Sequence, residues 1–493
     1  MSSLKSLAKD TAIYGLSSIV GRFLNYLLVP LYTARLSAES GGYGVITHVY
    51  AYTALLLVIL TYGMETTLFR FSNKESEDPD TVFSTALKAV GVTSLSFIVL
   101  VFVFISPLSK AMGYADHPSY ILAMAVTVAV DAFQCILFAR LRHEKRPVKF
   151  AALKLLFIVM NIALNVMFFV VLPEITDSPV DVGDAFYINL ACTVFITLCF
   201  AGELKTAFTA CFDAALLRRM LSYSWPILVL GIAGILNQTA DKILFPYLYD
   251  GNNVNKQLGI YSAASKIAMI MAMITQAFRY AYEPFVFGKS KDKDGDSREV
   301  YAKAMKYFII FTLMAFLFVS GYIGVLRYII GSDYWPGLDV VPVVMVAEIM
   351  MGVYFNLSFW YKLIDRTIWG AWFSGIGCAV LLAINVIFVP RYGYVACAWA
   401  GVAGYGTAMT LSYVVGQRYY PIRYPLGEIA AYVILAAALF AGITVSNAGL
   451  PPIAAVGVNT VLVAVFAAVV VRRDFPLSSL PVVGKYFRGK RGV

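Results

Sequence analysis

The chain has 493 residues, of which 60% are hydrophobic and only 14% charged, with mean hydropathy +0.75 and net charge +10. An average soluble protein carries roughly 25% charged residues, so a water-soluble globule of this composition is excluded. The chain reads as an all-α integral membrane protein.

Apolar runs of about 20 residues, the length that crosses a bilayer, predict about fourteen helices. In chain order they lie near 10–33, 43–69, 82–106, 118–140, 150–172, 184–208, 221–248, 257–282, 303–330, 338–361, 366–389, 393–417, 426–447 and 452–472. The first run is long enough to span and follows a short basic start, so no cleavable signal peptide is expected. The links are short and charged, or marked by Pro and Gly. Sorting Lys and Arg by loop gives about 28 on the side of the N-terminus against about 5 on the other. That bias predicts both termini in the cytoplasm and an even number of spans. It also accounts for the basic loops without nucleic acid, for which no soluble basic domain exists. The six cysteines show no metal-like spacing and read as small apolar residues.

The first and seventh spans match at a shift near 216 residues. Leu28 to Tyr32 (LVPLY) parallels Leu244 to Tyr249 (LFPYLY), and Tyr43-Gly44-Val45 parallels Leu258-Gly259-Ile260. Asn161 and Asn165 in the fifth span are echoed by Asn385 in the eleventh. These matches predict two six-helix lobes, residues 1–212 and 213–424, related by a parallel pseudo-two-fold repeat. Residues 425–493 add two helices and a basic tail. Those two helices carry almost no polar residues before Arg472 and are expected to be a lipid-facing appendix.

Charges inside apolar spans cost at least ~2.5–3.5 kcal/mol at the bilayer centre, so they face an interior or a wet cavity. Arg22 and Asn25 share one face of the first helix. Asn237, Gln238, Asp241 and Lys242 recur at helical spacing in the seventh. Glu65 lies in the second span, and Lys266, Gln276 and Arg279 in the eighth. These ten residues are the candidate cavity. Arg22, Lys242, Lys266 and Arg279 suit an anion, above all phosphate, for which Arg is a bidentate fork and Lys a point charge. Asp241 and Glu65 limit the excess charge and are candidates for coupling to H⁺ or Na⁺. The competing reading is that Arg22 pairs with Glu65 or Asp241 to hold helices together and that Lys242 snorkels. Asp131 and Lys154, nearer the cytoplasmic ends, are read as structural. No catalytic residue, metal site or cofactor is expected.

Four stretches carry a family resemblance: Lys9 to Gly15 (KDTAIYG) with Arg22 and Pro30 to Thr33 (PLYT); Gly63 to Phe71 (GMETTLFRF); Asp241-Lys242 with Leu258 to Lys266 (LGIYSAASK); and Ala383 to Tyr394 (AINVIFVPRYGY). In order and spacing they resemble the Wzx-type polysaccharide and O-antigen flippases of the multidrug/oligosaccharidyl-lipid/polysaccharide (MOP) exporter superfamily. The resemblance implies a transporter rather than an enzyme, with two lobes around a cationic cavity in the bacterial inner membrane. It implies that an undecaprenyl-diphosphate-linked oligosaccharide crosses from the cytoplasmic to the periplasmic leaflet by alternating access. Its other implied partners are the phospholipid membrane and polysaccharide polymerase or assembly proteins, with a place in lipopolysaccharide synthesis. Arg22 and Lys266 match basic residues of the pattern. Many relatives have Asp-Arg where this chain has Asp241-Lys242, which keeps the charge but removes a fork. The alternatives are a lipid II flippase of the same fold and a cation-coupled drug or metabolite antiporter. The cationic residues argue against the antiporter. The short outer loops argue against a membrane polymerase, and the lack of a GxxxxGK[ST] motif against an ATP pump.

Overall fold

The computed structural model describes residues 26–289, 297–364 and 366–474. Every regular element among them is a helix. Ten are long and apolar enough to cross a membrane, and twelve spans result if each of two bent pairs counts as one. All lie where the hydropathy places them. Of the other two expected spans, 393–417 is the helix Tyr394–Tyr419. The span 10–33 lies mostly outside the described residues. The expected run 303–330 is shorter than its hydropathy suggests: its helix ends at Gly321, and Ile323–Leu326, Arg327–Ile329 and Ser332–Val340 follow as short turns.

Local sequence explains where the helices begin and break. Pro118 and Pro147 open the fourth and fifth spans, where a missing N–H costs nothing. The Asp213 carboxylate accepts from the Ala215 and Leu216 N–H groups (2.8 and 3.0 Å) and caps the seventh span, Ala214–Leu248. The second span is two helices, Gly42–Thr61 and Met64–Ser72, because Tyr62 and Gly63 both take positive φ. Gly63 is required twice over. Its φ is +73°, and a Cβ there would meet Ile227 Cβ at 3.0 Å and the Ser224 carbonyl oxygen at 3.1 Å. The sixth span bends by 63° between Gly183–Leu198 and Ala201–Thr209. The eighth bends by 41° between Val254–Ala268 and Ile270–Arg279. A π-turn over Met167–Val171 interrupts the fifth span just after Asn165.

The chain divides into two compact units, residues 1–263 with 382–397, and 264–381 with 398–493. In the first, the second span packs along the seventh. At the end expected to face outward, Glu39 pairs with Lys256. Gly44 abuts Asn255 so closely that a Cβ would lie 1.9 Å from the Asn255 carbonyl oxygen. Tyr52 and Tyr247 share a hydroxyl hydrogen bond of 2.9 Å, and His48 Nδ1 meets the Tyr114 hydroxyl at 2.8 Å. At the opposite end, the nearly buried Glu203 accepts from Lys149 Nζ (2.7 and 2.8 Å) and Arg146 Nη1 (2.9 Å). Arg140 pairs with Asp80 and Glu144.

In the second unit, the helices Leu426–Gly449 and Pro452–Arg473 are tied to Ser297–Gly321 by polar contacts, while Val433, Ile434, Val445, Ile453 and Val461 stay exposed. Asn459 is buried, and its Nδ2 donates to the Gly321 carbonyl and to Asn447 Oδ1, both at 2.8 Å. Tyr322 and Thr460 share a hydroxyl bond of 2.7 Å. At the other end Lys306 pairs with Glu428 and Asp474. Two asparagines in otherwise apolar helices look negligible in a hydropathy profile, yet such groups are the glue between helices in lipid. Replacing Asn459 by alanine is expected to cost about 0.6–1.7 kcal/mol, from the average to the maximum found for hydrogen bonds between membrane helices. Thermal unfolding of the purified protein measures it.

Candidate functional site

Asp241 and Lys242 sit two turns from the end of the seventh span, both partly buried. The Tyr261 hydroxyl, from the eighth span, donates to Asp241 Oδ2 at 2.7 Å. The Lys242 backbone N–H donates to Oδ1 at 2.9 Å. Tyr261 in turn stacks against Tyr394 with ring centroids 6.3 Å apart. The carboxylate is therefore well satisfied by neutral donors. The Lys242 ammonium is held far more loosely. Its distances are 3.4 and 3.5 Å to the Asp241 oxygens and 3.3 Å to the Gln238 carbonyl, with the Tyr261 ring 5.8 Å away. A tight charge-assisted bond is about 2.7–2.9 Å, so this ammonium keeps donors for another acceptor. Asn237, one turn earlier, bonds the Ala233 carbonyl at 3.0 Å.

Lys266, Gln276 and Arg279 belong to the other unit. Lys266 lies in the last turn before the 41° bend of the eighth span. Arg279 lines a small pocket with Thr275, Phe278, Phe355 and Asn356, its guanidinium 5.4 Å from the Phe355 ring centroid. Thr275 Oγ1 is buried there without a hydrogen-bond partner among the described residues. Gln276 is one turn from Arg279 and partly exposed. Glu65 is engaged elsewhere in the first unit: it accepts from Arg142 and from the Cys135 thiol, at 3.1 Å from Sγ. Arg22 and Asn25 lie outside the described residues.

Several contributors were not singled out from the sequence. Tyr261 lay inside a quoted motif, and its hydroxyl could have been matched to Asp241 only from helix rotation. Asn385, a repeat echo that also lies in the stretch Ala383 to Tyr394, is buried, and neither of its side-chain polar atoms has a partner among the described residues. A buried amide without partners is rare and signals a polar interior rather than packing.

Solved structures of other proteins share the fold. An inward closed lipid II flippase MurJ superposes with TM-score 0.72 at 14% identity, over 93% of this chain and 98% of that one. An inward-facing multidrug resistance MATE family transporter of the MOP superfamily gives 0.64 at 15%, over 80% and 93%. An outward-facing multidrug resistance MATE family transporter of the same superfamily gives 0.55 at 15%, over 83% and 95%. No curated protein sequence matches the chain. Fold and apolar helices together define a multi-pass membrane protein with the fold that these flippase and multidrug transporter structures share. Within that class the chain belongs to the polysaccharide biosynthesis protein family, whose model matches residues 7–282.

Proposed function

We propose that this transporter flips an undecaprenyl-diphosphate-linked oligosaccharide from the cytoplasmic to the periplasmic leaflet of a bacterial inner membrane. Residues 1–212 and 213–424 are its two alternating lobes, residues 425–493 an addition to the second, and both termini are cytoplasmic. The loosely held ammonium of Lys242 carries this reading. Asp241 is already satisfied by Tyr261, so Lys242 can turn to a diphosphate without leaving a bare carboxylate behind. Arg22 on the first span, with Lys266 and Arg279 on the eighth, adds positive charge. Asn25, Asn237, Gln238 and Gln276 offer hydrogen bonds to the first sugars. The lipid tail stays in the bilayer while the head group crosses. Membership of a polysaccharide biosynthesis family supports glycan as the cargo.

Deleting the gene is expected to make one lipid-linked glycan accumulate on the cytoplasmic face. Accumulation of lipid II instead would assign the chain to peptidoglycan synthesis. Lys242→Met should lower glycan export about ten- to hundred-fold, the equivalent of one lost charged hydrogen bond, at unchanged protein abundance. Arg22→Ala should do the same. Full export by both variants sinks the cavity assignment.

A further inference from the structure

The first unit holds a second set of charges that the cargo does not use. On the fourth span, Pro118–His143, Asp131, Cys135, Phe138 and Arg142 fall at intervals of four, three and four residues. They form one stripe about 16 Å long. Glu65 of the second span joins its far end, taking Arg142 on one oxygen and the Cys135 thiol on the other. At the near end the Thr193 hydroxyl, from the sixth span, donates to Asp131 Oδ1 at 3.1 Å. Thr193 is itself fixed, since Gln134 Nε2 donates to its carbonyl at 2.8 Å. Lys154 enters from the fifth span. Its ammonium lies 4.0 Å from the Phe138 ring centroid and makes no ion pair among the described residues. Asp131 and Glu65 are its attractive neighbours and Arg142 its repulsive one. Tyr50 is the remaining titratable group facing Asp131.

A cation resting on an aromatic face between two carboxylates, each already bonded to another group, is a two-position element. We propose that Asp131 binds the proton that drives transport, and that Lys154 reports its occupancy by shifting between Asp131 and Glu65. With Asp131 ionised, Lys154 is drawn to it from the midpoint of the stripe. When Asp131 takes a proton, it becomes a neutral acid. Glu65 is then the one charged carboxylate attracting Lys154, and the ammonium moves toward the second span. The fifth and second spans thereby exchange a charge contact with each proton bound. Cation–π contact with Phe138 smooths the transfer, because the ammonium is never without a partner. The proposal rests on the chain being a transporter and not on which glycan it carries.

The test is infrared difference spectroscopy of the purified protein in lipid across a pH titration, with no cargo added. A protonated-carboxyl C=O band is expected to appear as the pH falls. It should vanish in Asp131→Asn and return, shifted in frequency, in Asp131→Glu. Lys154→Met removes a cation beside Asp131, so the band should titrate at least about one pH unit higher. In cells, Asp131→Asn should abolish export while Asp131→Glu retains part of it. A band untouched by Asp131→Asn, a midpoint unmoved by Lys154→Met, or full export by Asp131→Asn each overturns the proposal. If Asp131→Asn does not fold, the frequency shift in Asp131→Glu and the midpoint in Lys154→Met decide. Should the cargo prove not to be a lipid-linked glycan, the spectra are unaffected, so the two readings fail separately.

Discussion

Lys306→Met is expected to destabilise the protein by about 3–5 kcal/mol, the usual consequence of removing one partner from a buried ion pair. Lys306 is 11% exposed and Asp474 7%, so water does not replace the lost ammonium. Burial pushes the Asp474 carboxyl up, but hydrogen bonds from Lys306 and Tyr432 outweigh it and hold the group below its usual range. The sign of the pH dependence follows. In the wild type this contact stabilises above the carboxylate's unfolded value and is lost only as the pH falls through the depressed folded one. In Lys306→Met burial dominates, so the carboxyl rises and protonates more easily. The deficit of the variant should therefore be largest near pH 7 and shrink toward about pH 4. Thermal unfolding of both proteins at the two pH values checks it. A constant difference would show that Lys306 acts through packing alone. Because Glu428, Tyr432 and Asp474 flank the last two helices, loss of Lys306 should also free them to proteolysis at that end.

Gly44→Val is expected to reduce export at least about tenfold. A Cβ at Gly44 would overlap the Asn255 carbonyl oxygen, backbone that has no rotamer to escape into. Overpacking of this kind costs about 1–3 kcal/mol, and about 1.4 kcal/mol is a factor of ten in any equilibrium between two arrangements. The second and eighth spans would be forced apart where Glu39 meets Lys256. Gly234→Ala is the control, since nothing lies within 4 Å of a Cβ there. A cysteine placed at the buried Ala38, next to Glu39, should become accessible to an impermeant thiol reagent in the Gly44→Val background. Equal labelling with and without the substitution would show that the close approach is not what holds this end together.

The positions of the spans were legible because hydropathy acts residue by residue, whatever the neighbours. Partners were less so. The sequence places Glu65 in a cavity, with Arg22 as its partner only in the competing structural reading, and its described partners are Arg142 and Cys135. That pairing depends on how two helices are rotated about their axes, which a single sequence encodes only weakly. Asp131 and Lys154 were read as structural on depth alone; their arrangement around Phe138 requires three helices to be placed at once. Asp241-Lys242 was legible as a charged pair in an apolar helix. The inequality within it was not, because Tyr261 satisfies the acid and leaves the base loosely held.

The seventh helix has a mechanical consequence. Its 35 residues run about 52 Å, against a hydrocarbon core of about 30 Å, so it is long enough to act as a lever across the apolar layer. Pro226 removes a hydrogen bond to the Ser222 carbonyl and supplies a natural fulcrum near one end. The arm beyond it, to Leu248, is about 33 Å long. A swing of about 10° about that fulcrum carries the far end some 6 Å, roughly the length of one helical turn. Such a displacement parts the 2.9 Å bond between Tyr52 and Tyr247, so a small rotation near one membrane face is magnified into release at the other.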